Sequence, residues 1–555
     1  VGSNNGDTFQ KVSYIPVVKN GNDFFNFNIK IENRKIKNLS NNTYGYCYRT
    51  TGDDYPKISV HREAKVVKPY AIRFGPVTRD IPFCTDPDLA DNLLLAYCKR
   101  ISPIMPVAQQ DTLLKLRTFV GSYLKKNLTP LPHLSDMQEQ FDLWLLSCHY
   151  TENRKKQLRT SFATLSQRNF LLHQQDFKVK SFIKREFYST LKNLRFINSR
   201  TDIFKVYLGP YIRLIEDQFF QLPHFIKHHQ VLEIPSLIDK LKTFKYFVQT
   251  DYTSFESGFN PLYTDSVECQ LFRYMFQNNP IILENVLKCY YQTMPNGKII
   301  PRNESVKHVK GNYHFRVVGS RMSGEMWTSL GNSFSNLMNM LFLCHCHNIQ
   351  VDGIVEGDDG IFGMSSNALT KFDFETLGFS IKLQYLQSLQ KAVFCGIHYN
   401  PTDLKPLISV QNTIRVGWTH HSQYFNSGPQ VLNELLLAKA MSLYCIGQFT
   451  PIAGVLAFKI IQQLRKNNPD IQPHKRYLED WWFSTVYQPL IEKQHYFGPV
   501  TITDDARQFY SEQYNIDPLT QLQIEELILN CKDITTLVIP YNLSRQCNLS
   551  NLMLL

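Results

Sequence analysis

Two short apolar runs, Gly353-Ile354-Val355 and Ile361-Phe362-Gly363-Met364, enclose the segment Glu356-Gly357-Asp358-Asp359-Gly360. Apolar runs split by a glycine-bearing turn read as strand, tight turn, strand, because glycine reaches backbone angles that other residues avoid. The pattern predicts a hairpin with Asp358 and Asp359 at its tip. Adjacent carboxylates repel and cost free energy unless a cation neutralises them. Hard oxygen ligands of this kind suit Mg²⁺. The triplet alone decides little. A second copy, Gly52-Asp53-Asp54, runs into Tyr55-Pro56, lacks apolar flanks and reads as a surface turn.

Phosphoryl-transfer chemistry at such a pair needs a third carboxylate from another segment. The aromatic and β-branched run Phe244-Lys245-Tyr246-Phe247-Val248-Gln249-Thr250-Asp251 predicts a buried strand ending in an acid. Asp251 reads either as that third acid or as a helix cap before Thr253 and Ser254. Between the two acidic segments, Ser323-Gly324 marks a turn, and Met326 to Phe342 has helical spacing of apolar residues. Thr328 and Asn332, four apart, share one face of that helix.

Asp251, then Ser323/Thr328/Asn332, then Gly357-Asp358-Asp359 follow the order and approximate spacing of the palm motifs of viral RNA-dependent RNA polymerases. The chain resembles that family, and Met322 to Asn332 is most similar to the tombusvirus-like branch of positive-strand RNA viruses. Two further segments match. Ile183-Lys184-Arg185-Glu186 with Arg195-Phe196-Ile197-Asn198-Ser199-Arg200, flanked by Lys178, Lys180, Lys192 and Lys205, resembles the family's basic fingers motif. Gly378-Phe379-Ser380-Ile381-Lys382 and Phe394-Cys395-Gly396 resemble the lysine motif and the primer-grip hairpin. The likeness spans about 180–396. It departs from the pattern at Glu256, where an Asp is usual, and at Leu194, where a Pro is usual.

The resemblance implies an α+β right hand: an antiparallel palm sheet backed by helices at 241–262 and 315–400, fingers at 1–240 and 263–314, and a mostly helical thumb with a C-terminal tail at 401–555. It implies synthesis of RNA from ribonucleoside triphosphates on an RNA template, with Mg²⁺ as cofactor and Mn²⁺ as a possible substitute. Asp251, Asp358 and Asp359 would be metal ligands and Lys382 the proton donor to pyrophosphate. Lys184, Arg195, Arg200, Glu256, Ser323, Thr328 and Asn332 would bind the nucleotide; Lys180, Glu186, Gly324, Phe394 and Cys395 would bind RNA. Initiation would be de novo, with Phe497, Phe509, Tyr510 and Tyr514 as candidates for a stacking platform. Other viral replication proteins would be partners, in a membrane-associated complex in the host cytoplasm reached through those partners or a missing segment. A reverse transcriptase would carry a bulky aromatic at Glu256. A non-catalytic RNA-binding protein would explain the charge but not the converging acids.

Composition agrees with a polyanionic partner. The 555 residues carry a net charge of +12, spread along the chain rather than gathered in a tail. A hydrophobic fraction of 43% and an aromatic fraction of 13% argue against disorder. No run approaches the ~18 apolar residues of a spanning helix. The 12 cysteines form no tight framework, as in a reduced protein. Cys344-His345-Cys346-His347 lacks the paired spacing of structural zinc. Trp481-Trp482 reads as core or as a base-stacking pair. No phosphate-binding Gly-rich loop and no internal repeat is present. The chain opens Val1-Gly2-Ser3 rather than with Met, as a processed or partial chain would. Asp358→Ala is expected to abolish nucleotide addition, and Asp53→Ala to leave it nearly unchanged. Equal losses of specific activity would remove the distinction between the two triplets.

Overall fold

The computed structural model describes residues 71–540 apart from 80–84, 88, 135, 149, 187, 189–190, 311–312 and 475–496, together with the backbone of strands Lys11–Val12, Lys30–Lys37, Tyr44–Thr51 and Ile58–Arg62. The Gly52-Asp53-Asp54 turn and Trp481-Trp482 lie outside the described residues.

Four antiparallel strands form the central sheet, in the order Val351–Glu356, Asp359–Met364, Tyr246–Tyr252, Ile381–Leu386. Their side chains alternate between two faces. Val248, Tyr252, Phe362 and Met364 point into the largest core, where Phe334, Leu337 and Met338 of helix Thr328–Cys346 meet them. That helix is buried on nearly all sides, so its polar residues Ser333, Ser335, Asn336 and Asn339 are buried too. Asn339 accepts from the Tyr263 hydroxyl at 2.7 Å. The sheet's second face is partly covered by Ile234, Leu237, Phe394 and Ile397, packed on Ile354 and Ile361.

A seven-stranded sheet lies to one side, in the order 30–37, 44–51, 58–62, 313–318, 303–308, 179–184, 195–200. It joins the N-terminal strands to the hairpin Asn303–His308/Tyr313–Val318 and to the basic hairpin Val179–Lys184/Arg195–Arg200. Among the described residues after 401 helices predominate, as expected, with Pro429–Gly447, Ala453–Asn467, Asp504–Tyr514 and Pro518–Asn530 around one core.

Two expectations need correction. Residues 71–79 do not belong to an N-terminal unit. Ile72 and Phe74 are buried in the C-terminal core, Val77–Thr78 pairs in parallel with Val538–Ile539, and Arg73 donates to the Leu537 carbonyl at 3.1 Å. The aromatic platform is also overturned. Phe509, Tyr510 and Tyr514 are buried, Phe497 packs on Tyr444 with ring centroids 5.1 Å apart, and the Tyr514 hydroxyl is bonded to His398. These rings hold the C-terminal core together and are withdrawn from a base.

Inside the fold Arg321 is paired with Glu268 and stacked on Phe259 at 4.1 Å, and both charged groups are buried. Removing one partner strands the other charge. Arg321→Met should therefore lower stability by about 3–5 kcal/mol, and Arg321→Met with Glu268→Leu should restore much of it. Thermal or denaturant unfolding of the three proteins measures this.

Candidate active site

The acidic hairpin forms as the sequence predicts. Gly357 has φ of +63° and opens a two-residue turn, Asp358 stands at its tip, and Asp359 begins the next strand. Backbone clamps fix the turn from the helix below. The Gly357 N–H donates to Ser333 Oγ at 2.9 Å, and the Asn336 amide donates to the carbonyls of Gly357 and Asp359, both at 3.2 Å. Ser333 and Asn336 were not singled out from the sequence, although Asn336 continues the four-residue spacing of Thr328 and Asn332 and could have been found that way.

Strand register then places four charged residues in one row. Glu356 pairs with Asp359, and Asp251 with Lys382. Gly360 pairs with Thr250, so one step further brings Asp359 opposite Asp251. Directly opposed residues share a face. Glu356, Asp359, Asp251 and Lys382 thus cross the sheet on the face away from helix Thr328–Cys346. Asp251 lies within its strand and is exposed; the following 3₁₀ turn, Phe255–Gly258, is headed by Ser254, so Asp251 is not a cap. Two residues along the same face, Gln249 binds the Val393 carbonyl at 2.6 Å and holds hairpin Val393–Phe394/Ile397–His398 against the sheet. The Cys395 thiol, at that hairpin's tip, is pushed up by desolvation and then by the charge of Asp359 and Glu356.

These acids crowd one another. Asp359 keeps contact with solvent, but the surrounding protein removes much of its hydration. That desolvation, followed by the charges of Asp358, Asp251 and Glu356, pushes its pKa up to about 6. Glu356 is paired with Lys227 at 2.5 Å, and no sequence signal marked Lys227. Among the described residues no three Asp, Glu, His or Cys side chains converge as a ready-made metal cage. The donor chemistry nevertheless fits a divalent ion: hard carboxylate oxygens, mutually repelling, on one open face.

The basic hairpin ends beside this row. Lys184 and Arg195 are opposed across its strands, and Glu186 lies between them, 2.8 Å from Lys184 and 3.9 Å from Arg195. Lys184, Arg195 and Lys180 are exposed. Burial depresses the Lys192 pKa, the charges of Arg100, Arg415 and Arg195 add to this, and Asp251 opposes it. Arg195 is held protonated by Glu186, Tyr188 and Glu256, which outweigh its burial. Glu256 thus faces the basic tip across the site. The Ser323-Gly324 turn docks on the same hairpin: Ser323 Oγ donates to the Phe196 carbonyl at 2.7 Å and Gly324 N–H to the Asn198 carbonyl at 2.8 Å. A Cβ on Gly324 would stand 2.7 Å from that carbonyl oxygen, which is why glycine is required. Thr328 donates to the Glu325 carbonyl at 3.0 Å, and Asn332 Oδ1 is buried with no partner.

Two site assignments are corrected. Arg200 sits at the far end of the basic hairpin, five residues or roughly 16 Å from Arg195. Its guanidinium is buried and committed to Glu325 at 2.7 Å, Glu304 at 3.0 Å and the Phe177 carbonyl at 2.6 Å, so it is not available to a phosphate. Phe394 is 1% exposed within an apolar cluster and cannot meet RNA; Cys395, next to it, is exposed. The Cys344–His347 segment disperses around its helix end, with Cys344 buried against Met340 and Met364 and His347 bonded to Asp373 at 2.8 Å.

Residues 206–411 match the family described as viral RNA-dependent RNA polymerase. The chain is an RNA-directed RNA polymerase. No curated protein matches it. The matched span contains the acidic row, helix Thr328–Cys346 and the hairpin at 393–398. The basic hairpin precedes it.

In the metal-free polymerase, Asp359 titrates near 6, above the ordinary carboxylate value. A folded-state pKa raised this way destabilises the fold once pH exceeds the unfolded value, and the penalty is complete above about 6. Asp359→Asn should therefore raise the melting temperature at pH 7.5 without metal. The difference should vanish below about pH 4, where both proteins are neutral at this position. Melting curves at the two pH values measure it; a variant less stable at pH 7.5 would contradict the crowding.

Proposed function

We propose that the polymerase extends RNA by two-metal phosphoryl transfer, with Asp251 and Asp358 as the principal ligands and Asp359 as a third acid. The observation that carries this is the charged row on one sheet face beside the basic hairpin tip. Bound divalent ions would supply charge neutralisation for the attacking 3′-hydroxyl and the leaving pyrophosphate. The chain's own residues do the rest. Ser333 and Asn336 hold the turn so that the acids do not have to be ordered at each cycle. Arg195, Lys192 and Lys184 bind the triphosphate and neutralise its charge. Lys382, opposite Asp251, delivers a proton to pyrophosphate.

Sugar choice rests with Glu256, Ser323, Thr328 and Asn332. The unpartnered Asn332 Oδ1 accepts from a ribose hydroxyl, and a site with such a buried acceptor disfavours a deoxyribose, which leaves it unpaired. The Glu256 carboxylate, whose charge acts on Arg195, links sugar and phosphate recognition. Lys180, Glu186 and Cys395 lie along the path of the RNA. Initiation is de novo, the palm, fingers and thumb follow the strand groupings above, and the enzyme is of the tombusvirus-like type. It works with other viral replication proteins in a membrane-associated cytoplasmic complex. No helix among the described residues is long and apolar enough to cross a membrane.

The test is incorporation of labelled ribonucleotide on an RNA template as Mg²⁺ is titrated, with Mn²⁺ in parallel. Activity without divalent ion would overturn the mechanism. Glu256→Gln should relax the preference for ribo- over deoxynucleotides by roughly tenfold, as the loss of one charge-assisted contact allows. Unchanged discrimination, measured as the ratio of kcat/KM values, would remove Glu256 from the sugar.

A further inference from the structure

The basic tip holds more positive charge than its neighbours balance. Tyr188 is its hub. The hydroxyl is bonded to Glu186 and Arg195. Lys192 Nζ lies 5.0 Å from the ring centroid and the Arg415 guanidinium 5.9 Å. Three cations therefore surround one ring, with Lys184 joined through Glu186 and Arg100 acting on Lys192. The carboxylates facing this group are Glu186 and Glu256, with Asp251 acting on Lys192. Cations gathered in this excess repel one another until an anion arrives.

Arg415 differs from the others because it comes from the C-terminal body, at the end of helix Val410–Arg415. Its Nε is buried with no hydrogen-bond partner, a cost that a bound anion removes. Its backbone is fixed from behind. Lys439, partly buried on helix Pro429–Gly447, donates to the carbonyls of Arg415 at 2.9 Å, Val416 at 3.4 Å and Trp418 at 2.5 Å. A cation on the last carbonyls of a helix is favourable and sets where the helix ends. Trp418 in turn pairs with Arg73, so Arg415 is anchored in the C-terminal core while its guanidinium reaches the basic hairpin.

We propose that Arg415 is a phosphate ligand that the C-terminal body contributes to the triphosphate site, and that Lys439 is the positioning residue that holds it over Tyr188. The ligand class is a polyphosphate, that of a nucleoside triphosphate or free pyrophosphate. A planar guanidinium fork suits phosphate oxygens better than an ammonium does. The charge of Asp251 acts on Lys192, so the cluster belongs to the side of the basic hairpin that faces the acidic row. This inference rests on the reading of the acidic row as the catalytic centre. It adds that the nucleotide bridges the basic hairpin and the C-terminal body.

Arg415→Ala, Arg415→Lys and Lys439→Met are compared in primer extension, with inhibition by inorganic pyrophosphate and RNA affinity measured separately. Arg415→Ala should raise KM by roughly tenfold, about equally for all four nucleotides, since phosphate contacts carry no base information. Pyrophosphate inhibition should weaken by a similar factor, while RNA affinity and melting temperature stay unchanged. Arg415→Lys should fall between, keeping the charge and losing the fork. Lys439→Met should move KM the same way by less. A parallel primer-independent assay separates the sources. A defect in both reactions assigns the incoming nucleotide, and a defect confined to initiation assigns the initiating one; either supports the polyphosphate site. Unchanged KM and pyrophosphate inhibition would overturn it. So would weakened RNA binding with pyrophosphate inhibition intact, which would make Arg415 an RNA-backbone contact. Asp358→Ala and Arg195→Ala serve as controls: if they too keep full activity, the reading of the centre fails, and if they lose it while Arg415→Ala does not, this inference alone fails.

Discussion

Repulsion among carboxylates is the constraint around which the rest is arranged. Asp358, Asp359, Asp251 and Glu356 are gathered where a solvated chain would separate them, and desolvation together with these charges pushes Asp359 up to about 6. The fold opposes that repulsion by fixing the turn's backbone with neutral side chains as well as by countercharge. The turn is locked by Ser333 and Asn336 on a helix buried almost all round, and the strands on either side are registered by their packed faces. Glu356 is ion-paired with Lys227, and Lys382 stands opposite Asp251 in the row. The others present their charge on an open face, as groups that await a ligand do.

The same economy governs the basic side. Lys184 opposes Arg195 across two strands, a pairing that costs stability by itself. Glu186 offsets part of it, and the remaining charge stays available. By contrast Arg200 is taken up inside a buried group with Glu304 and Glu325, which Arg302 joins at Glu304 and in which one oxygen of Glu325 is left without a hydrogen-bond partner. Location within one hairpin separates the two arginines: Arg195 at the wet end answers to the active site, and Arg200 at the dry end answers to the core.

Much of the site was legible in the chain because local pattern carried it. The apolar flanks around Gly357 specify the hairpin, and the run before Asp251 specifies the strand; once both strands share a sheet, register alone aligns the acids. Ser323-Gly324 was legible as a turn from the residue pair itself, and the structure adds that a Cβ at Gly324 would crowd the Asn198 carbonyl. Other parts were not legible. A sequence motif cannot distinguish Arg195 from Arg200, because their difference lies in what the 303–308 strand and Glu325 bring up against one of them. Phe394 read as an RNA contact because its segment resembles the primer-grip hairpin, but neighbours in space that include 234–241 bury it. Lys227 and Arg415 carry no local signal at all and are recruited by tertiary contact. The aromatics after 496 illustrate the same limit: composition shows rings, and only packing shows that they face inward.

The pairing of Val77–Thr78 with Val538–Ile539 ties two segments more than 450 positions apart in sequence into one small parallel sheet. Everything between them becomes a closed circuit of chain. Segments in a circuit cannot swing freely, since displacement of one must be matched around the loop. Any displacement of the C-terminal body would therefore carry residues 71–79 with it. The seam is only two residues long on each side, with Arg73 as its main rivet. Because Ile72, Phe74, Leu537 and Ile539 all belong to the C-terminal core, the seam comes unclasped only as that core loosens.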